Sequence, residues 1–250
     1  ERVLALERSS GQVACWRALE DRKEAVEIWR IPETAVKGEI NFVHAAVTPD
    51  ERYVGCLFAD RILFFDLSEK KVAITEIGLS NHAAARRSIA LSADGRKLAV
   101  TGGENDRTWL IETESPGSKM MIEGDRSRDQ VCRFSANGQQ LYLGGEDGTI
   151  RVIDLATRKE IVSKSWQAHS HPISALAISQ SGDIIATAGG SSIALWSSEK
   201  ESDKRRRLRL QINAGPGARN WLRFAGDDTL LMHTAPDRPI EVFEAPLRDK

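Results

Sequence analysis

The chain has 250 residues, of which 41% are hydrophobic and 28% are charged, a composition that is ordinary for a folded globular protein. Its 35 Lys and Arg residues nearly balance its 36 Asp and Glu residues, leaving a net charge of −1, which argues against a nucleic-acid partner. No apolar run approaches the ~20 residues of a membrane-spanning helix, so we expect no membrane association. These features favour a single domain over residues 1–250.

The three cysteines, Cys15, Cys56 and Cys132, are too few and too scattered for a disulfide framework, and no Cys-x-x-Cys pair indicates zinc. We therefore expect a reducing compartment and a cytoplasmic protein. Because the chain opens at Glu1 without a methionine or a signal segment, we expect either a fragment of a longer multidomain protein or a processed form.

A pattern of strand, tight turn, strand, tight turn and strand recurs six times along the chain. Apolar residues alternate within each strand, and Gly, Asn, Asp and Ser occupy the turns. The clearest copy is 131–154, whose turns read Ser-Ala-Asn-Gly and Glu-Asp-Gly. In chain order the copies cover 6–29, 47–65, 91–111, 131–154, 178–196 and 224–243.

The last strand of each copy ends at an aromatic residue or an isoleucine, and these residues recur with spacings of 36, 46, 42, 43 and 47. Between copies there is room for a fourth strand, as in 160–166 and 207–210. Four strands in about 40–45 residues is the size of a propeller blade. In four copies the next residue is acidic, which we interpret as structural because it repeats with the unit. The terminal residues are Trp29, Phe65, Ile111, Ile153, Trp196 and Phe243, and the acids are Asp66, Glu112, Asp154 and Glu244.

Together these features resemble the WD-repeat β-propeller family. The resemblance rests on the Ser/Thr-x-Asp/Asn/Ser-Gly turns, on the segment 145–154 (Gly-Glu-Asp-Gly-Thr-Ile-Arg-Val-Ile-Asp), and on the terminal aromatic or isoleucine. It implies an all-β fold, a β-propeller of four-stranded antiparallel blades. Six blade units are recognisable, which predicts a six-bladed ring. The alternative is a seven-bladed ring with strands outside this chain.

The resemblance also implies that a His, a strand Ser or Thr, a turn Asp and a Trp brace each blade. The fifth unit offers His169, Thr187 and Trp196, but its turn over 189–191 lacks the Asp. The third unit offers His82 and Thr101. We therefore assign His169 to bracing rather than to a metal site shared with His171, since no third ligand is visible nearby.

Catalytic and cofactor motifs are absent from the sequence: it has no Gly-x-Ser-x-Gly elbow, phosphate loop or Gly-x-Gly-x-x-Gly before a helix. We predict no catalytic residue, cofactor or metal. The basic run 204–210 has two interpretations, an anionic partner or a charged outermost strand protected against edge-to-edge pairing. We favour the charged strand.

The loops before the first strands share one face of the predicted disc, and we call this set of loops the rim. Arginine with tryptophan is typical of protein-interface hot spots, and guanidinium groups suit carboxylates or phosphates. The alternative is a solvated rim whose charges are balanced by Asp125, Asp129 and Asp227. The candidate partner-binding residues are Arg86, Arg87, Arg126, Arg128, His171, Arg219, Asn220 and Trp221.

The expected function is a non-catalytic protein–protein interaction scaffold that presents loops on one face of the ring, as the family resemblance implies. Its partners would be other proteins, with an acidic or phosphorylated segment as the matching chemistry. Two alternatives stay open: a regulatory or sensor module of a larger multidomain protein, and a propeller that binds a small molecule or metal, or catalyses a reaction, in its central channel.

Overall fold

In a computed structural model of the chain, the described residues are 14–18, 25–30, 42–50, 52–58, 61–68, 77–78, 88–102, 107–115, 119–122, 128–200, 206–213, 221–225, 229–233 and 241–244. They form antiparallel sheets whose strands pair with their neighbours in sequence. No helix within these ranges is long and apolar enough to cross a membrane.

The sheets follow the sequence units, and we number them from the first to the sixth. The first contains β1 (Ala14–Ala18) and β2 (Ala25–Arg30). The second contains β3 (Phe42–Val47), β4 (Tyr53–Phe58), β5 (Arg61–Asp66) and β6 (Ile77–Gly78). The third contains β7 (Ile89–Leu91), β8 (Lys97–Val100), β9 (Trp109–Glu112) and β10 (Lys119–Met121).

The remaining three sheets are built in the same way. The fourth contains β11 (Asp129–Phe134), β12 (Gln140–Gly145), β13 (Thr149–Asp154), β14 (Lys159–Glu160) and β15 (Trp166–Gln167). The fifth contains β16 (Ile173–Ile178), β17 (Ile184–Gly189), β18 (Ser192–Lys200) and β19 (Arg206–Asn213). The sixth contains β20 (Trp221–Ala225), β21 (Thr229–His233) and β22 (Glu241–Glu244).

The second to fifth sheets are complete blades of four or more strands, which confirms the predicted four-stranded antiparallel architecture. Among the described residues the sixth sheet has three strands and the first has two. The structure therefore describes four complete blades, not the predicted six or seven. The remaining strands of the first and sixth units would fall outside the described ranges, so the number of blades in the ring stays a prediction.

The first strands of the second to sixth sheets lie at the centre of the propeller. β3 contacts β7, β7 contacts β11, β11 contacts β16, and β16 contacts β20. We call these five strands the inner strands. The last strand of each complete blade lies at the circumference, as the basic strand β19 does beside β18. This agrees with the interpretation of the basic run as an outermost strand.

The outermost strand of the fourth blade differs from the continuous strand predicted over 160–166. It is split into β14 and β15 by a 3₁₀ turn over Val162–Lys164. The hydroxyl of Ser165 accepts a hydrogen bond from the Val152 N–H (3.2 Å), and the Val152 carbonyl accepts one from the Ile161 N–H (2.7 Å). The Ser165 side chain thus replaces one backbone hydrogen bond of the pairing between β13 and the outermost strand. The alternation of apolar residues in the sequence could not predict this replacement.

The predicted Ser/Thr-x-Asp/Asn/Ser turns share one hydrogen-bond pattern in the four complete blades. In the third blade, the Ser92 hydroxyl donates to Asp94 (2.6 Å) and accepts from the Lys97 N–H (2.9 Å), and the Asp94 carboxylate accepts from the Arg96 N–H (3.1 Å). Thr48, Ser135 and Ser179 accept the corresponding bonds from the N–H groups of Tyr53, Gln140 and Ile184. These side chains satisfy backbone groups that the tight turn would otherwise leave unpaired.

The hydrophobic core consists of clusters between neighbouring blades. Leu57 and Ile62 of the second blade pack with Ile89 and Leu98 of the third. Tyr142 belongs to the cluster between the fourth and fifth blades. Phe58, Phe64 and Tyr142 are buried, as are the unit-ending residues Phe65, Ile111, Ile153 and Trp196.

Candidate functional site: the rim and the networks beneath it

His169 lies between the fourth and fifth blades and braces the fifth, as predicted. Its Nε2 is 2.8 Å from the Thr187 hydroxyl, which also accepts a hydrogen bond from the Trp196 indole N–H (2.8 Å). Its Nδ1 is 3.0 Å from the Ser192 hydroxyl. Ser192 therefore occupies the position of the missing turn aspartate. The resemblance did not predict this role of Ser192, because it implies an aspartate in the turn and a serine does not match that expectation.

A neutral imidazole with its proton on Nδ1 satisfies the polarity of this network. The Ser192 hydroxyl donates to the Gly189 carbonyl (3.2 Å), so it accepts from His169 Nδ1–H. Because Thr187 accepts from Trp196, its own O–H is free to donate to Nε2. Burial lowers the pKa of His169, which agrees with the neutral form. Every polar atom of the chain of hydrogen bonds is then satisfied.

Two glycines allow His169 to approach this closely. A Cβ atom on Gly189 would lie 2.6 Å from His169 Cγ, and one on Gly148 would lie 2.0 Å from the His169 carbonyl oxygen. Gly148 also has a positive φ of 83°, which disfavours any other residue. Its carbonyl accepts the N–H groups of Ala168 and His169 (3.0 and 3.1 Å), so the loop before β16 is fixed to the turn of the preceding blade.

A buried ion pair lies between the third and fourth blades. Arg151 of β13 donates to the Asp129 carboxylate, whose second oxygen accepts from the Thr108 hydroxyl (2.8 Å). Asp129 and Arg151 are only 6% and 5% exposed. Burial raises the pKa of Asp129, although Arg151 and Thr108 act in the opposite direction. Asp129 therefore does not balance the charges of the rim, as the solvated-rim interpretation supposed, because it is enclosed with Arg151.

Two of the candidate rim residues lie at the same end of adjoining blades. Neighbouring strands are antiparallel, so the start of each inner strand and the turn between the second and third strands share one end of the blade. Arg128 is exposed before β11, and its carbonyl accepts from the Glu146 N–H (3.0 Å). His171 is exposed before β16, and a Cβ atom on Gly190 would lie 3.0 Å from its Cγ.

Only part of the predicted rim can be placed. Trp221 is the first residue of β20, opposite His233 of β21, so it begins an inner strand as expected. The other five candidates, Arg86, Arg87, Arg126, Arg219 and Asn220, lie outside the described residues. The use of the rim to bind a partner stays a prediction.

Comparison with known proteins identifies WD repeats in two of the blades. The family model "WD domain, G-beta repeat" matches residues 128–154 and 161–197, which span the fourth and fifth blades. The β-propeller domain of Cps50 (Swd1) from Myceliophteria thermophila superimposes with a TM-score of 0.73 over 95% of this chain and 77% of that one, at 16% sequence identity. Residues 128–154 and 161–197 are therefore WD repeats, and the chain has a β-propeller fold.

Curated relatives of this WD-repeat propeller include a subunit of the target of rapamycin complex. The target of rapamycin complex subunit wat1 of Schizosaccharomyces pombe is 27% identical over 109 residues, 43% of this chain and 34% of that protein. The angio-associated migratory cell protein of Homo sapiens is 29% identical over 91 residues, 36% of this chain and 21% of that protein. The U3 small nucleolar RNA-associated protein 15 homolog of Xenopus tropicalis is 26% identical over 141 residues, 54% of this chain and 25% of that protein. The chain thus spans about a third or less of each relative.

Proposed function

We propose that this WD-repeat propeller is a non-catalytic scaffold, built on a ring of six units, that binds other proteins through its rim. The observation that carries the proposal is the exposure of Arg128 and His171 at one end of two adjoining blades. The backbone around both residues is held in place, because the Arg128 carbonyl accepts from the Glu146 N–H and the His169 N–H donates to the Gly148 carbonyl. A cytoplasmic location is part of the proposal, supported by the buried thiols of Cys56 and Cys132, which are not joined in a disulfide.

Rigidity favours this function over one that needs a flexible loop. The loop before β16 is held by the Gly148 carbonyl and by the Gln167 amide, which donates to the carbonyls of Asp147 (2.8 Å) and His169 (2.6 Å). Groups that are already ordered lose little conformational entropy when a partner binds. The rim can therefore use several shallow contacts without a large ordering cost.

The partner chemistry follows from the residues that the rim carries. Arginine side chains at the starts of several units would present guanidinium groups, which bind carboxylates and phosphates with two parallel hydrogen bonds. We therefore propose an acidic or phosphorylated protein segment as the partner. The names of relatives such as the wat1 complex subunit support a role in a protein assembly.

A second candidate is a regulatory or sensor module within a longer protein. It is favoured because relatives extend well beyond the matched segments, which cover only 34% of wat1 and 21% of the angio-associated migratory cell protein. In that case the rim would bind a segment of the same polypeptide, so the two candidates share one surface.

The proposal is tested with fluorescent peptides rich in Glu, with and without a phosphoserine, and with a Lys-rich peptide as the reference. The parent chain is compared with Arg87→Glu/Arg128→Glu/Arg219→Glu and with Arg158→Glu, which reverses an exposed charge on the turn after β13. Circular dichroism first confirms that each variant is folded. We expect anisotropy to show binding of the acidic peptides by the parent and the Arg158 variant and loss of it in the rim variant. Equal binding by all three would contradict the proposal.

A further inference from the structure

The inner strands carry an excess of positive charge at the centre of the propeller. Over β3, β7, β11, β16 and β20, the charged or imidazole side chains are His44, Asp129, Arg133 and Arg223. Asp129 is enclosed with Arg151, so its charge is already neutralised. Two arginines and a histidine are left without an inner-strand carboxylate to balance them.

The Arg133 guanidinium lies at the channel-facing edge of β11. The Ser135 N–H donates to the Gln140 carbonyl, and because hydrogen-bonded pairs alternate along an antiparallel ladder, residues 131 and 133 also bond to β12. The backbone groups of Cys132 therefore point away from β12, towards the channel. Arg133 Nη1 donates to the Cys132 carbonyl (2.7 Å), which holds the guanidinium at this edge.

His44, on β3, lies against the corresponding channel-facing edge of β7. The Thr101 N–H donates to the Ser88 carbonyl, so the Ile89 N–H points into the channel by the same alternation. It donates to His44 Nδ1 (3.4 Å), which leaves the proton of the neutral ring on Nε2. Burial and the Arg133 charge lower the pKa of His44 to about 3. The two side chains are therefore electrostatically coupled, and His44 adds an N–H donor rather than a charge.

Arg223 occupies the same place in the sixth sheet as Arg133 in the fourth. Each directly precedes a phenylalanine, Phe134 or Phe224, whose partner on the second strand is a leucine. The fifth blade has the small residue Ala177 at this position. Ala177 is buried in the hydrophobic cluster between the fifth and sixth sheets. The two arginines therefore lie on the inner strands of the two sheets that adjoin the fifth blade.

Neither arginine has a balancing carboxylate in the part of the chain that the structure describes. The ion pairs from Arg52 to Asp66 and from Arg151 to Asp129 involve neither of them. Arg133 is half-buried, whereas Arg223 is exposed, and burial lowers the pKa of the Arg133 guanidinium. A desolvated charge without a partner is unfavourable, and an anion in the channel would relieve this.

We propose that the central channel of the propeller holds an oxyanion site formed by Arg133 and Arg223, with His44 as a neutral donor. Its ligand is the phosphate or carboxylate group of a small molecule, since both oxyanions match guanidinium donors. The site lies on the inner strands, whereas the rim lies at the starts of those strands. The proposal therefore does not depend on the rim binding a protein.

The test is an NMR titration of the Arg Nε–H resonances with sodium phosphate and, separately, sodium acetate, with sodium chloride at equal ionic strength as the reference. Arg133→Gln and Arg223→Gln assign the two signals and remove the site. Arg158→Asn is the matched control, because it removes an exposed cation far from the inner strands and suits the positive φ of that residue (61°). Thermal unfolding checks that each variant is folded.

We expect the Arg133 and Arg223 signals to move and saturate at millimolar oxyanion, and the affinity to fall about tenfold or more in either Gln variant but not in Arg158→Asn. Saturation with phosphate alone identifies a phosphorylated ligand, and saturation with acetate alone a carboxylate. Absence of any shift in the parent chain would overturn the site. So would a linear shift that chloride reproduces.

Discussion

Buried polar residues in this propeller keep their positions because each has partners of defined polarity. The hydrogen-bond chain from Trp196 through Thr187 and His169 to Ser192 holds the fifth blade to the loop that precedes it. Three of these residues could be predicted from the sequence because their types and spacing match the family. Ser192 could not, since its contribution depends on the distance across the β17–β18 turn.

Replacement of Ser192 by aspartate tests whether the network lacks only a carboxylate. A charged acceptor for His169 Nδ1–H strengthens this hydrogen bond and should raise both the pKa of His169 and the free energy of unfolding, the latter by about 1 kcal/mol. Urea denaturation and histidine NMR measure the two effects. Ser191→Asp, at the exposed neighbouring position, is the control, and an equal gain there would contradict the explanation.

The Asp129–Arg151 pair leads to a second prediction at this scale. Asp129→Ala leaves a buried guanidinium without its counter-charge and should lower the free energy of unfolding by about 3–5 kcal/mol. The double variant Asp129→Leu/Arg151→Met removes both charges and should be closer to the parent. Urea denaturation measures both. If the double variant lost as much stability as the single one, the unpaired charge would not be the cause.

Individual strands and turns explain why the fold was largely predictable. Strand alternation and the four similar Ser/Thr-x-Asp/Asn/Ser turns are local, and they appear in the structure where the sequence places them. The break between β14 and β15 was not predictable, because it depends on a bond between Ser165 and Val152 of another strand. The Asp129–Arg151 pair was missed for the same reason: it joins residues on non-adjacent strands.

The turn hydroxyls are expected to contribute directly to stability. Ser92→Ala removes the acceptor for the Lys97 N–H and the donor to Asp94, and Ser92 is buried. We expect the free energy of unfolding to fall by about 1–2 kcal/mol. Ser170→Ala removes an exposed hydroxyl that bonds to the neighbouring His171 ring and should change it by less than about 0.5 kcal/mol. Equal effects in urea denaturation would count against the turn pattern as a source of stability.

For the whole molecule, stability should depend on pH through the two buried histidines. His44 has a pKa of about 3 in the folded chain, against 6.5 normally, and burial also lowers that of His169. Below pH 6.5 the unfolded chain therefore binds protons that the folded chain does not. Stability is full above that pH and decreases as the pH falls towards 3. At pH 5 the loss from His44 alone is about 2 kcal/mol.

His44→Gln isolates this contribution, because the amide oxygen can still accept the Ile89 N–H. Urea denaturation between pH 5 and pH 7.5 should show a smaller loss of stability in the variant than in the parent. Above pH 7 the difference between the two should be constant. Identical pH profiles over the whole range would contradict the burial of a neutral His44.

The central claim is that the rim binds a protein partner, and affinity capture with quantitative mass spectrometry tests it most directly. The parent chain, the folded variant Arg86→Glu/Arg87→Glu/Arg219→Glu and the control Arg158→Glu are each immobilised and exposed to the same lysate of the source organism. We predict a protein that the parent and the control retain and the rim variant loses. Retention of the same proteins by all three would contradict the claim and direct attention to the channel instead.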